Sequence, residues 1–71
     1  MFSDICERFG ARIREVRNAK GMTQIELAEK AGIEQPYLSL VENGKQEPCL
    51  RNIELIATGL GVSIHKLFGE L

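Results

Sequence analysis

The stretch from Gly21 to Gly44 constrains the chain most tightly. It reads Gly-Met-Thr-Gln-Ile-Glu-Leu-Ala-Glu-Lys-Ala-Gly-Ile-Glu-Gln-Pro-Tyr-Leu-Ser-Leu-Val-Glu-Asn-Gly, two short helical patterns separated by one glycine and bounded by two others. Thr23 and Glu26 have the spacing of a capping box, in which the hydroxyl and the carboxylate each satisfy an unpaired backbone N–H, so a helix is expected over about 24–31. Leu27, Ala28 and Ala31 form a narrow strip of mostly small residues that lets a second helix approach closely. Gly32 suits the left-handed position at a helix end. The next helix is expected over about 35–42, with Pro36 tolerated in a first turn that has no N–H partner to lose. Asn43-Gly44 closes it. Two helices joined through one glycine turn form a helix-turn-helix unit.

At about 100° per residue, Leu38 and Val41 share the inner face of the second of these helices. Pro36, Ser39 and Leu40 point the opposite way, with Gln35 and Tyr37 on the flanks. A lone exposed leucine is ordinary on a protein surface. Here its neighbours are Gln and Ser, which hydrogen-bond to base edges, and a leucine packs well on a thymine methyl. The face is therefore a candidate for reading DNA bases. Gln24 opens the preceding helix, where free N–H groups offer a seat for a phosphate oxygen. Asn43 and Lys45 would flank a duplex that received the second helix, which makes them candidates for phosphate contact.

Seventy-one residues allow one domain with a modest core, and 44% hydrophobic residues argue against disorder. The chain has no run of eighteen apolar residues and no charged-then-apolar leader, so a soluble cytoplasmic protein with no membrane contact is expected. The 9 Lys and Arg against 10 Asp and Glu, a net charge of −1, weigh against strong non-specific attraction to nucleic acid. The distribution matters more than the sum. Arg8, Arg12, Arg14, Arg17 and Lys20 crowd the first helix, while Glu47, Glu54 and Glu70 lie in the C-terminal third. Cys6 and Cys49 have no zinc-ligand spacing; Cys6 falls on an apolar stripe and is expected in the core, Cys49 at a helix start. No nucleophile, base and orienting group can be assembled, so no catalytic residue, metal or cofactor is expected.

Elsewhere, Ile5, Phe9, Ile13 and Val16 recur at helical spacing and predict a first helix over about 3–20. Lys45 to Pro48 is a loop by composition. Leu50, Ile53, Ile56, Ala57 and Leu60 predict a fourth helix over about 49–59, and Ser63 can cap a fifth over about 63–69. Ile64, Leu67, Phe68 and Leu71 put much apolar surface on that short end. Either one core absorbs it all, or part of it forms a symmetric contact between two copies.

Thr23-Gln24, Glu26-Leu27-Ala28, Ala31-Gly32, Gln35, Leu38-Ser39 and Val41-Glu42-Asn43-Gly44, followed by Pro48 and Leu50, resemble the Cro and phage-repressor type of helix-turn-helix, the xenobiotic-response-element-like family. The resemblance covers roughly Phe9 to Phe68. It implies a compact, all-α, five-helix lambda-repressor-like domain that binds double-stranded DNA as a homodimer, with the third helix in the major groove. It also implies an ion pair between Arg17 and Glu42, and a Gln24 that touches phosphate while bracing Gln35. Residues and resemblance together give a base-reading set of Glu34, Gln35, Pro36, Ser39 and Leu40. The phosphate-contacting set is Arg17, Thr23, Gln24, Tyr37, Asn43 and Lys45, and the dimer contact Ile64, Leu67, Phe68 and Leu71.

The chain departs from the family at Glu34, where Ser or Thr is usual, at Leu40, where Arg or Lys is common, and at Gly59, where Ala is common and the glycine should weaken the fourth helix. The expected role is a transcriptional regulator of repressor or controller type reading an inverted repeat, as short members such as restriction-modification controller proteins do. No sensor domain would fit after Leu71, so no small-molecule ligand is expected. The competing expectation is a protein-interaction module, an antitoxin or adaptor, using the acidic surface and Leu40.

Overall fold

A computed structural model describes residues 4–69 and 71. The expected helix start at Ser3 and the acidic Glu70 lie outside them. Five helices follow one another: α1 (Ile5–Ala19), α2 (Gln24–Ala31), α3 (Gln35–Glu42), α4 (Leu50–Leu60) and α5 (Ile64–Phe68). Local chemistry sets most of their starts. Asp4 accepts from the Cys6 N–H at 3.0 Å while its own N–H donates to Glu7, a capping box for α1. Thr23 and Glu26 form the second box, with the Thr23 N–H 2.7 Å from the Glu26 carboxylate. Ser63 accepts from the Lys66 N–H at 3.0 Å and caps α5. Glu34 makes no side-chain cap, so α3 begins without that support. Gly32 ends α2 at φ 73°, a left-handed conformation that costs glycine least.

The core is built from Phe9, Ile13 and Val16 of α1, Leu27, Ala28 and Ala31 of α2, Leu38 and Val41 of α3, Ile56, Ala57 and Leu60 of α4, and Leu67 of α5. Helix α2 packs on α4 and α3, and α1 packs on α3 and α5. Two glycines make close approaches possible. A Cβ on Gly59 would lie 3.0 Å from both the Ala31 nitrogen and Leu27 Cδ1, so the residue that weakens α4 also lets it settle against α2. A Cβ on Gly10 would lie 2.5 Å from the Glu42 carbonyl oxygen and closer still to that of Val41. Helix α1 therefore rests directly on the last backbone carbonyls of α3.

Helix α5 has only five residues, too few to hold itself. Phe68 stacks on Phe9 with ring centroids 4.9 Å apart. Arg12 donates through Nε to the Leu67 carbonyl at 3.1 Å and through Nη2 to that of Lys66 at 3.0 Å, satisfying groups that a helix end leaves open.

Four expectations need correction. Leu67 is completely buried in its own chain and offers no surface to a second copy. Ile5 is 50% exposed and Leu50 77% exposed, although both lie on apolar stripes. Periodicity identifies the inward face of a helix, but both residues sit in a first turn that reaches past the elements covering the rest. Cys6 is half-buried, at the rim of an apolar recess between Ile5, Phe9, Pro48, Ile53 and Phe68. Loss of hydration there, with Asp4 and Glu47 nearby, pushes its thiol pKa up and keeps it protonated. Among the described residues, no helix is long and apolar enough to cross a membrane.

Candidate nucleic-acid interface

Glu42, the last residue of α3, is buried with its carboxylate wholly out of solvent. Such a charge is tolerated only when paired and hydrogen-bonded. Arg17 of α1 meets it with Nε 2.8 Å from one oxygen and Nη2 3.0 Å from the other, a bidentate pair. The third guanidinium nitrogen, Nη1, donates to the Met22 carbonyl at 2.9 Å. All three nitrogens of Arg17 are thus held inside the protein, and its side chain is 12% exposed. The expected ion pair is present. The geometry gives Arg17 a structural role, locking α1 to the last residue of α3.

The same carboxylate orients two glutamines. It can only accept, so Gln24 turns its Nε2 toward it at 3.1 Å. That leaves Gln24 Oε1 facing α3, where it accepts from Gln35 Nε2 at 2.6 Å. The brace between Gln24 and Gln35 is therefore in place. Its polarity is dictated from within: carboxylate, amide nitrogen, amide oxygen, amide nitrogen. Among the described residues, Gln35 is left with one N–H and its carbonyl oxygen uncommitted.

Along α3, Leu38 and Val41 are buried and face the core. Glu34 and Pro36 are exposed, Ser39 is half-buried, and Leu40 is 45% exposed. The outward face thus carries the residues assigned to it. Tyr37 lies on the flank toward α4, where its hydroxyl accepts from Asn52 Nδ2 at 2.9 Å, leaving its own hydrogen free to donate. Thr23, Asn43 and Lys45 are exposed around the two ends of the α2–α3 unit. Sequence reasoning missed Asn52, which steadies Tyr37, and the contact by which Arg14, named only among the arginines of the first helix, reaches Asn43. The signal for Arg14 was its place one turn before Arg17 on α1; nothing local announced Asn52.

A short helix gripped at both ends by its own protein, with amides and apolar groups outward, is the geometry of a helix-turn-helix reading unit. The helix-turn-helix family model matches residues 13–67, and the chain belongs to this family of DNA-binding transcriptional regulators. The control protein C.MunI of Mycoplasma sp is 34% identical over 97% of this chain and 95% of its own length. The immunity repressor of Bacillus phage phi105 is 36% identical over 86% of this chain, and the transcriptional regulator SinR of Bacillus subtilis is 42% identical over 86%. The chain spans 42% of the length of that repressor and 56% of SinR.

Among solved structures, the restriction-modification controller protein C.AhdI from Aeromonas hydrophila superposes with a TM-score of 0.86 at 40% identity, over 89% of this chain and 96% of that one. C.Esp1396I bound to a 19 base pair DNA duplex superposes with a TM-score of 0.90 at 32% identity, over 96% and 91%.

Proposed function

We propose that the chain is a homodimeric regulator of repressor or controller type that reads an inverted repeat by laying α3 in the major groove. The observation that carries the reading is the relay from Glu42 through Gln24 to Gln35. It leaves Gln35 with one donor and one acceptor side by side, the pattern that complements N7 and N6 of adenine. Leu40 packs on a thymine methyl where a guanine-reading arginine would otherwise stand. Ser39 and Pro36 line the same face, and Glu34 accepts from cytosine N4. Thr23, Gln24, Tyr37, Asn43 and Lys45 set register on the phosphates. The close match to controller proteins over nearly their whole length supports a controller type of role.

Dimerisation uses Ile64, Phe68 and Leu71, with Leu50 taking the place of the buried Leu67. Leu50 and Ile64 line one surface recess together with Arg51 and Glu54, opposite charges that a two-fold contact can set against each other.

Selection of bound sites from a randomised duplex library at about 50 mM and about 200 mM salt tests the reading. A two-fold-symmetric motif is expected at both. Gln35→Ala should relax one position in each half-site, costing about 1–3 kcal/mol there. Failure of the wild type to enrich any motif would refute the proposal and favour the protein-interaction module.

A further inference from the structure

Arg14 projects from α1 to the C-terminal end of α3. Its Nη2 donates to Asn43 Oδ1 at 2.7 Å and reaches the Glu42 carbonyl oxygen at 3.4 Å, and its Nε lies 3.6 Å from the Glu42 carboxylate. Arg17 already meets both oxygens of that carboxylate at 2.8 and 3.0 Å. Two guanidiniums against one carboxylate leave a residual charge of about +1. That charge emerges on Arg14, whose side chain is 45% exposed against 12% for Arg17.

The donors around it point outward. Arg14 Nη1 makes no hydrogen bond among the described residues. A guanidinium only donates, so Asn43 presents its oxygen to Arg14 and its Nδ2 hydrogens to solvent. Lys45 follows two residues later, exposed. Glu7 packs beside Gly44, but its carboxylate is turned back to the Asp4 N–H at 3.3 Å in the α1 capping box. A cation and the Asn43 amide donor at one spot, with an exposed lysine two residues on and the neighbouring carboxylates engaged, fit an oxyanion.

The eight residues of α3 span about 12 Å, on the scale of the major groove's width of about 12 Å. Arg14 and Asn43 meet at its C-terminal end, with the exposed Lys45 close behind in sequence, where a helix lying in the groove comes up to the phosphate backbone. We propose that Arg14 is a DNA phosphate ligand, held by Asn43, at the C-terminal end of α3. This rests on the DNA-binding reading above.

The test compares wild type, Arg14→Gln and Arg14→Lys on the selected operator, by fluorescence anisotropy from about 50 to about 200 mM salt. Glutamine can still donate to Asn43 but carries no charge. Each lost phosphate contact lowers the slope of log affinity against log salt by about 0.9, so two copies lose about 1.8. The affinity deficit of Arg14→Gln should therefore shrink about tenfold across that range, with the preferred motif unchanged, and Arg14→Lys should keep the wild-type slope. A wild-type slope in Arg14→Gln, whatever its affinity, would overturn the assignment and leave Arg14 as a scaffold for Asn43. Absence of binding by the wild type itself would overturn the DNA reading and the Arg14 assignment with it.

Discussion

Replacing Glu42 by glutamine changes one oxygen into an NH₂ at a position that is 3% exposed. One Arg17 nitrogen keeps an acceptor and Nη1 keeps the Met22 carbonyl, but the new amide nitrogen confronts donors from Arg17 or Gln24. Removing one partner of a buried ion pair costs about 3–5 kcal/mol, and the surviving bonds place this case near the lower end, about 3 kcal/mol. For 71 residues the unfolding entropy is about 150 cal/mol/K, which converts to a fall in Tm of about 20 °C. Thermal unfolding followed by circular dichroism reads this directly. The companion variant Arg17→Met/Glu42→Leu replaces both charges by apolar groups of similar size and should regain part of the lost stability, the remainder being the Met22 carbonyl and the Gln24 amide left without their partners. It should nonetheless lose discrimination at the base assigned to Gln35, because Gln24 no longer has a carboxylate to orient it. A Glu42→Gln variant melting within about 3 °C of wild type would refute the reasoning. So would a double variant no more stable than the single one.

Gly10→Ala should lower stability by about 2 kcal/mol, because the added carbon meets backbone carbonyls that cannot swing aside and the helix-propensity gain of about 1 kcal/mol is smaller than the clash. A raised Tm would contradict the close approach of α1 to α3. The Glu26 carboxyl is held below the ordinary 4.5 by hydrogen bonds from the Thr23 backbone N–H first and its hydroxyl second. Its folded pKa being the lower one, its contribution is complete above 4.5 and fades as pH falls through the folded value. Urea unfolding at neutral pH and again below 4.5 should show less acid sensitivity in Glu26→Gln than in wild type; equal sensitivity would count against the capping role.

Helix ends were legible where their chemistry is local. Thr23 with Glu26, Gly32, and Ser63 each announce a boundary within four residues, and the structure uses all three. The α3 faces were legible because Leu38 and Val41 leave only one way round for the helix. The brace from Gln24 to Gln35 came from family resemblance alone, since the carboxylate that orients it lies 18 residues beyond Gln24. Burial at the ends of stripes was not legible. Ile5, Leu50 and Leu67 have similar patterns, yet only Leu67 finds a neighbour on every side. Gly10 gave no signal either, because a glycine inside a helix reads as a defect until the element it touches is known.

The contact at Gly10 has a further consequence for how fast and how tightly α3 can engage a partner. The helix is seated from beneath by α1, tied at one end through Gln35 and at the other through Glu42. Its orientation is settled when the chain folds, so little conformational freedom remains to be surrendered on docking. A reading surface that is rigid beforehand does not remodel itself to suit an imperfect site. On the proposed reading of α3, discrimination falls to how closely the duplex matches a fixed template, and whatever adjustment docking needs falls to the duplex.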